Sequence, residues 1–154
     1  RQLGTRGLLE PERGYHSVVP NPGVNIKLAL VAADRNVAIT PMEDGLRLGT
    51  MAEFCGVDGR PDYERAERIY RTASGILPGL KIEGGSRWYG PRPSTPDSVP
   101  VIGRSPRHPS VLFAFGHGHL GLSMAAFTGN LIADLALERQ PAIDLTPYRP
   151  DRFE

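Results

Sequence analysis

The stretch that most limits how this chain can fold is residues 121–139, GLSMAAFTGNLIADLALER. Leu122, Met124, Ala125, Ala126, Phe127, Leu131, Ile132, Ala133, Leu135, Ala136 and Leu137 leave room for few polar residues, mainly Ser123, Thr128, Asn130 and Asp134. A helix apolar nearly all round belongs inside a protein, with partners on every side. The rest of these 154 residues reads as a sheet and one amphipathic helix, enough to cover one face. The expectation is a chain that lacks part of its own core.

Just ahead of this helix, VLFAF (Val111 to Phe115) reads as a fully buried strand, and the link between them is GHGHLG, in which Gly116, Gly118 and Gly121 spell G-x-G-x-x-G. A dinucleotide fingerprint needs more than three glycines. It opens a βαβ unit of about 30 residues with an acidic residue about 20 positions on. Here 33 residues follow Gly121, and their tail carries Pro141, Pro147 and Pro150, which leaves little room for a second buried parallel strand. A strand, glycine turn and buried helix is nevertheless an anion site in its own right, because free backbone N–H groups and the positive end of the helix dipole face whatever lies over the turn. The plainer alternative is a tight connection whose glycines serve packing. The motif by itself leaves both open.

Upstream, the pattern is strand-like. Arg13 to Val19 is one candidate, and Ile26 to Ala33 places Ile26, Leu28, Leu30 and Ala32 on one side at period two. Asp34-Arg35-Asn36 turns into VAITPM, and Glu43-Asp44-Gly45 turns into LRLGTMAEF, where Leu46, Leu48, Thr50, Ala52 and Phe54 share a face. This predicts an antiparallel meander with one face buried and the other accessible. The period then changes. Over 61–77, Tyr63, Ala66, Ile69, Tyr70, Ala73, Ile76 and Leu77 recur at three- and four-residue steps, and Pro78-Gly79 ends the helix. Glu64 to Arg68 and Glu67 to Arg71 have the spacing of helix ion pairs. LKIEGGSRWYG predicts a strand with a glycine break, and PRPSTPDSVP a stiff loop without regular structure.

Bulk properties exclude several function classes. With 18 basic and 17 acidic residues, the net charge of +1 gives no sign of a nucleic-acid or anionic-membrane partner. No apolar run approaches the roughly 20 residues a bilayer span needs. The single cysteine, Cys55, excludes an internal disulfide framework and fits a reducing compartment, so the expected location is cytoplasmic, with a peripheral position at the inner face of the membrane allowed. His117 and His119 at i, i+2, with His108 or His16, form the nearest approach to a metal set, but no second spaced pair accompanies them and no metal is expected. Gly121-Leu122-Ser123-Met124-Ala125 lacks the closing glycine of a nucleophile elbow. Arg92 is different. Held by flanking prolines beside Trp88 and Tyr89, it is preorganised for a bidentate grip on a carboxylate, unless it simply pairs with Asp97.

The order W-x-G-x-R-P-x-T-x-D-x-x-P-x-I-G over 88–103, then an apolar strand, then G-H-x-x-x-G and a long apolar helix, resembles the C-terminal part of the FAD-dependent amino-acid oxidoreductases. That group includes D-amino acid dehydrogenase, glycine oxidase and sarcosine oxidase. ERGYH (Glu12 to His16) and the run from Pro41 to Leu80 are most similar to the D-amino acid dehydrogenase branch, and the resemblance extends from Glu12 to Asp134. It implies an α+β fold. An antiparallel-sheet substrate domain with a packed helix would occupy 1–100. The C-terminal strand and helix of a Rossmann-like FAD-binding domain would occupy 101–140, with a tail at 141–154. The N-terminal part of that FAD domain, with its own pyrophosphate fingerprint, is expected to be absent, so that the chain is roughly the last third of a longer enzyme. That missing segment then counts among its partners.

The resemblance also assigns roles. Arg92 would grip the substrate carboxylate. Gly116, His117, Gly118, His119, Leu120, Gly121 and Leu122 would lie over the pyrimidine edge of the flavin, with the helix N-terminus stabilising the negative charge that reduction places there. His119 stands where some relatives carry a second carboxylate-binding arginine, so it either bonds substrate or faces solvent. Tyr15 and His16 fall on opposite sides of their strand, so at most one faces the substrate, and His16 is either that contact or a hydrogen-bonded sheet residue. The flavin does the chemistry: hydride passes from Cα to N5 and the imine hydrolyses, with no protein residue catalytic in the strict sense. The expected function is oxidative deamination of a D-amino acid or similar small amine acid, with a quinone or another electron acceptor as partner and FAD as cofactor of the full-length parent. The chain alone is expected to be inactive and to hold FAD weakly or not at all. The rival reading is a non-catalytic small-ligand or self-association module that forms a homo-oligomer through the exposed apolar helix.

Overall fold

The computed structural model describes Gly4 and residues 8–154. The side chains of Thr50 and Ala66, placed on buried faces by the sequence pattern, lie outside the described residues. The chain divides into two compact units, Arg13–Pro91 and a second made of Arg1–Glu12 with Arg92–Glu154. Seven strands run β1 (Glu10–Val19), β2 (Leu30–Ala32), β3 (Val37–Met42), β4 (Gly45–Phe54), β5 (Ser86–Ser94), β6 (Val101–Arg104) and β7 (Leu112–Phe115), with helices α1 (Glu64–Ile76) and α2 (Gly121–Ala136).

In the first unit, β2, β3 and β4 form the antiparallel ribbon that the turns at 34–36 and 43–45 predict, in register from Leu30↔Ile39 and from Val37↔Thr50. Asn36 takes the left-handed conformation at φ 53°, a geometry that asparagine tolerates better than most residues. The order of the sheet is β2-β3-β4-β1-β5, so the run is not a simple meander. The link from β1 to β2 contains Pro20 and Pro22 and is too long for a tight hairpin, which lets β1 settle between β4 and β5 instead. The expected strand over 26–33 shrinks to three residues on the sheet edge, where Leu28 and Val31 stay exposed.

The buried face is made by Tyr15, Val19, Val37, Ile39, Leu46 and Leu48, with Ile69, Tyr70 and Ala73 of α1 packed on it. Full burial of one such side chain is worth about 1.5–3 kcal/mol, so this cluster is the main source of the unit's cohesion. The apolar face expected of β4 does not reach its end, since Ala52 and Phe54 are exposed. α1 starts at Glu64 instead of 61 because the Asp62 carboxylate accepts the Glu64 N–H at 3.1 Å, an Asx turn that precedes the first helical residue. Arg68 pairs with Asp62 at 3.6 Å and Glu67 with Arg87 of β5 at 2.7 Å, in place of the expected i, i+4 partners. The segment entering α1 is tied to the sheet by polar groups. The buried Arg13 donates to the Gly59 and Arg60 carbonyls at 2.6 and 3.1 Å, and Tyr15 Oη donates to Glu53 Oε2 at 2.6 Å while accepting the Asp62 N–H at 2.9 Å.

β5 corrects a second expectation. It continues through Pro91, Arg92 and Pro93 to Ser94, over residues whose four neighbouring prolines point to irregular loop. β5 is an edge strand. Prolines two residues apart direct their missing N–H to one side, and at an edge that side can face away from the ladder.

In the second unit, β6 and β7 pair antiparallel from Val101↔Phe115 to Arg104↔Leu112, and α2 packs on both. Val101, Ile102 and Leu131 form its apolar centre. β7 is half-buried and not fully buried, because α2 covers one side of a two-stranded ribbon. α2 itself buries Thr128 and Leu131 and leaves Leu122 94% exposed, with Phe127 and Leu137 also exposed. The apolar surplus read from the sequence is therefore visible on its surface. Among the described residues, no helix is long and apolar enough to cross a membrane.

Candidate functional site: an arginine with an unpaired nitrogen beside a glycine turn

Arg92 sits near the end of β5, and two residues on, Ser94 makes an isolated antiparallel bridge with His117. That bridge brings the arginine strand to the glycine turn. Gly116 at φ 79° and Gly118 at φ 50° use the left-handed conformations that glycine adopts without strain. The approach is close. A Cβ on Gly116 would stand 2.7 Å from Thr95 Cγ2, and one on Gly118 would stand 3.2 Å from Ser94 Oγ. Gly121 is already helical at φ −54° and has room for a side chain, so its role is different from that of the other two.

Arg92 is half-buried, and its Nη1 is buried with no hydrogen-bond partner among the described residues. A buried, unpaired guanidinium N–H is costly, and a ligand carboxylate is the group that relieves it with the best geometry. The competing pairing with Asp97 does not form. Asp97 is instead held by Arg152, Nε to Oδ2 at 2.9 Å and Nη2 to Oδ1 at 3.0 Å. The hydrogen bonds from Arg152, opposed in part by burial, bring the Asp97 carboxyl down to about 2. The loop that follows Arg92 is thereby anchored without drawing on the arginine itself.

Glu12, near the start of β1, completes the cluster. Its Oε2 accepts a hydrogen bond from Ser94 Oγ at 2.8 Å and its Oε1 bonds His119 Nε2. Burial pushes the Glu12 carboxyl up, but hydrogen bonds from His119 and Ser94 and the charges of His119 and Arg92 outweigh it and hold the group below the ordinary glutamate range. His119 thus faces solvent, with its side chain 58% exposed, while one ring nitrogen bonds Glu12. His117 lies half-buried with Nε2 3.0 Å from the buried Thr128 Oγ1 of α2, and burial pushes its pKa down, which keeps the imidazole neutral near pH 7. Leu120 and Leu122 are exposed beside the turn, and the first turn of α2 has no side-chain cap. Helix N-terminal N–H groups without a side-chain cap are the kind that an external acceptor can satisfy, although that of Leu120 already donates to the His117 carbonyl at 2.9 Å.

His16 belongs to the other unit. Its ring stacks on Trp88 with centroids 4.7 Å apart, and Nδ1 lies 3.3 Å from Arg47 Nη2. Tyr15 is buried in the core, as the opposite sides of the strand require. Among the described residues, no three His, Cys, Asp or Glu side chains are gathered as a metal set. Glu12, Ser94 and Arg152 are not singled out by the sequence. With β5 recognised as a strand, the i, i+2 spacing would have placed Ser94 on the face of Arg92.

Residues 1–135 match the DAO family, FAD dependent oxidoreductase. The chain belongs to that family. A D-amino-acid oxidase of Bradyrhizobium diazoefficiens is 38% identical over 149 residues, covering 94% of this chain and 35% of that protein. Glycine oxidase from Geobacillus kaustophilus superposes with a TM-score of 0.84 at 23% identity, over 97% of this chain and 41% of that one. L-proline dehydrogenase from P. horikoshii does so with a TM-score of 0.81 at 23% identity, over 99% and 42%. The chain therefore spans about a third of the curated relative and about two fifths of these structures, with which it shares its α+β fold. In this DAO-family chain, the residues at the turn fit a flavin edge. Two glycines with positive φ keep side chains out of the way, and the uncapped N–H groups of α2 suit the acceptor atoms of a reduced ring.

The Arg152 pairing yields a pH prediction. Because the folded pKa of Asp97 lies below its unfolded value, the pair contributes stability above pH 4, and this is lost as pH falls through about 2. Asp97 is 39% exposed, so solvent screening limits the contribution to about 1 kcal/mol. Arg152→Ala should therefore lower the denaturant midpoint at pH 7 and lose its effect near pH 2, as urea titrations at the two pH values would record.

Proposed function

We propose that this chain supplies the carboxylate grip and the flavin-edge turn of an FAD-dependent oxidoreductase that oxidatively deaminates a D-amino acid or a similar small amine acid. The observation that carries the reading is the buried, unpartnered Nη1 of Arg92 on a strand bridged to the glycine turn. The identity to a D-amino-acid oxidase supports the substrate class. When bound, FAD supplies the chemistry by accepting a hydride from the substrate Cα. The chain's own residues do the rest. Arg92 fixes the carboxylate, and with it the direction in which Cα faces. Gly116 to Leu122, including His117 and His119, present backbone donors to the ring edge where negative charge develops, and Thr128 holds the His117 imidazole in place. His16, stacked on Trp88 in the other unit, is given no part in this site.

The electron acceptor is proposed to be a quinone or another carrier, and the location the cytoplasm, at the inner membrane face where a quinone is used. For FAD, this chain carries the ring-edge turn but no second G-x-G-x-x-G to hold the pyrophosphate, so the 154 residues alone should bind flavin weakly and be inactive. Equilibrium dialysis of the chain against FAD should leave it colourless; a yellow stoichiometric complex would refute this part. A second reading, a non-catalytic module that self-associates, draws on the exposed Leu122, Phe127 and Leu137 of α2.

Arg92→Ala in the full-length, flavin-loaded protein separates the two. Loss of a charge-assisted carboxylate pair should lower kcat/KM on the order of 100-fold, carried mainly by KM, while the flavin spectrum is kept. Turnover of D-amino acids with unchanged KM would remove the carboxylate role. A wild-type protein that oligomerises and oxidises no amine acid would favour the module.

A further inference from the structure

Glu12 has no part in gripping a carboxylate, yet it lies at the grip. Its side chain is only 12% exposed, and each of its oxygens is held, one by Ser94 Oγ at 2.8 Å and the other by His119 Nε2. Ser94 follows Arg92 by two residues on β5, so both side chains leave the same face of the strand about 7 Å apart. A carboxylate bonded to Ser94 is thereby fixed on the face that carries the guanidinium. It does not satisfy Arg92 Nη1, which has no partner among the described residues. The cluster thus holds an unpaired guanidinium nitrogen and, apart from it, a carboxylate hydrogen-bonded to Ser94 and His119.

Such an arrangement discriminates by charge. A fixed carboxylate repels any anion that Arg92 takes, and the repulsion grows with the number of negative charges on the ligand. An amino acid with one carboxylate escapes most of it, because its ammonium offsets the field. An amino acid with a second carboxylate keeps a net negative charge after that offset, as malonate does relative to acetate, and partial burial weakens the screening that solvent would provide.

Resting on the carboxylate role of Arg92, we propose that Glu12 is a specificity-determining residue, a charge filter that admits monocarboxylate substrates and turns away those with a second acidic group. Exclusion of the wrong ligand by a like charge is a common route to specificity. Ser94 and His119 act as positioning residues that keep the Glu12 carboxylate in its place.

The test titrates acetate and malonate into the isotope-labelled chain and follows the amides of Gly116, Gly118 and Gly121. Wild type is expected to prefer acetate, the opposite of what a lone guanidinium would do. Glu12→Gln should shift the acetate-to-malonate affinity ratio about tenfold toward malonate. Ser94→Ala, which keeps the charge but frees one oxygen, should move the ratio in the same direction, and it stands in for Glu12→Gln if the amide spectrum shows that variant to be unfolded. A ratio unchanged in the variants, with binding of both acids abolished by Arg92→Ala, overturns the filter and leaves the Arg92 role intact. If neither acid perturbs these amides, or if Arg92→Ala binds like wild type, the Arg92 role fails and the filter fails with it.

Discussion

The arrangement depends on how Arg92 is held. Pro91 and Pro93 restrict φ on both sides of it, and only an edge strand accommodates that pair without losing ladder hydrogen bonds. The prolines thereby set the backbone from which the Arg92 side chain leaves, and its Nη1 has no acidic partner among the described residues. Asp97, the carboxylate nearest in sequence on the C-terminal side, is occupied by Arg152, and Glu12 is occupied by Ser94 and His119. An arginine with a buried, unpaired nitrogen amid satisfied carboxylates carries a desolvation cost that an external anion would relieve, which is the basis of the role proposed for it.

The glycine turn follows from the same geometry. The bridge between Ser94 and His117 leaves so little space that Gly116 is excluded from bearing a Cβ by Thr95, and its φ of 79° disfavours one independently. The glycines of the turn therefore serve packing, one of the two alternatives that the motif left open, and the ligand-facing role is the one proposed for it above. His117 is neutral and bonded to Thr128, which links the turn to the interior of α2, while the outer leucines of the turn remain exposed. The exposed apolar residues of α2 belong with the same picture of a chain that spans about a third of its curated DAO-family relative.

Much of this was legible in the sequence because it is local. Period-two and period-3.6 patterns located β3, β4 and α1, and the turn chemistry at 34–36 and 43–45 located the hairpins. The failures share a cause, which is that tertiary context decided the outcome. Nothing local says that β1 inserts between β4 and β5, or that the prolines around Arg92 sit at a sheet edge. Nothing local says that Arg152, 55 residues from Asp97, takes the carboxylate that Arg92 might have used. The Glu12 and His119 pair is separated by 107 residues and is invisible to any spacing rule. Family resemblance reached Arg92 and the glycine turn, since those carry ordered motifs.

The most direct measurement is a crystal structure of the protein with a small monocarboxylate bound. The account predicts the carboxylate within hydrogen-bond distance of Arg92 Nη1, beside the turn at Gly116 to Gly121, with the Glu12 contacts to Ser94 and His119 unbroken. A structure in which Nη1 is satisfied by a protein atom, or in which the acid binds away from Arg92, would contradict it.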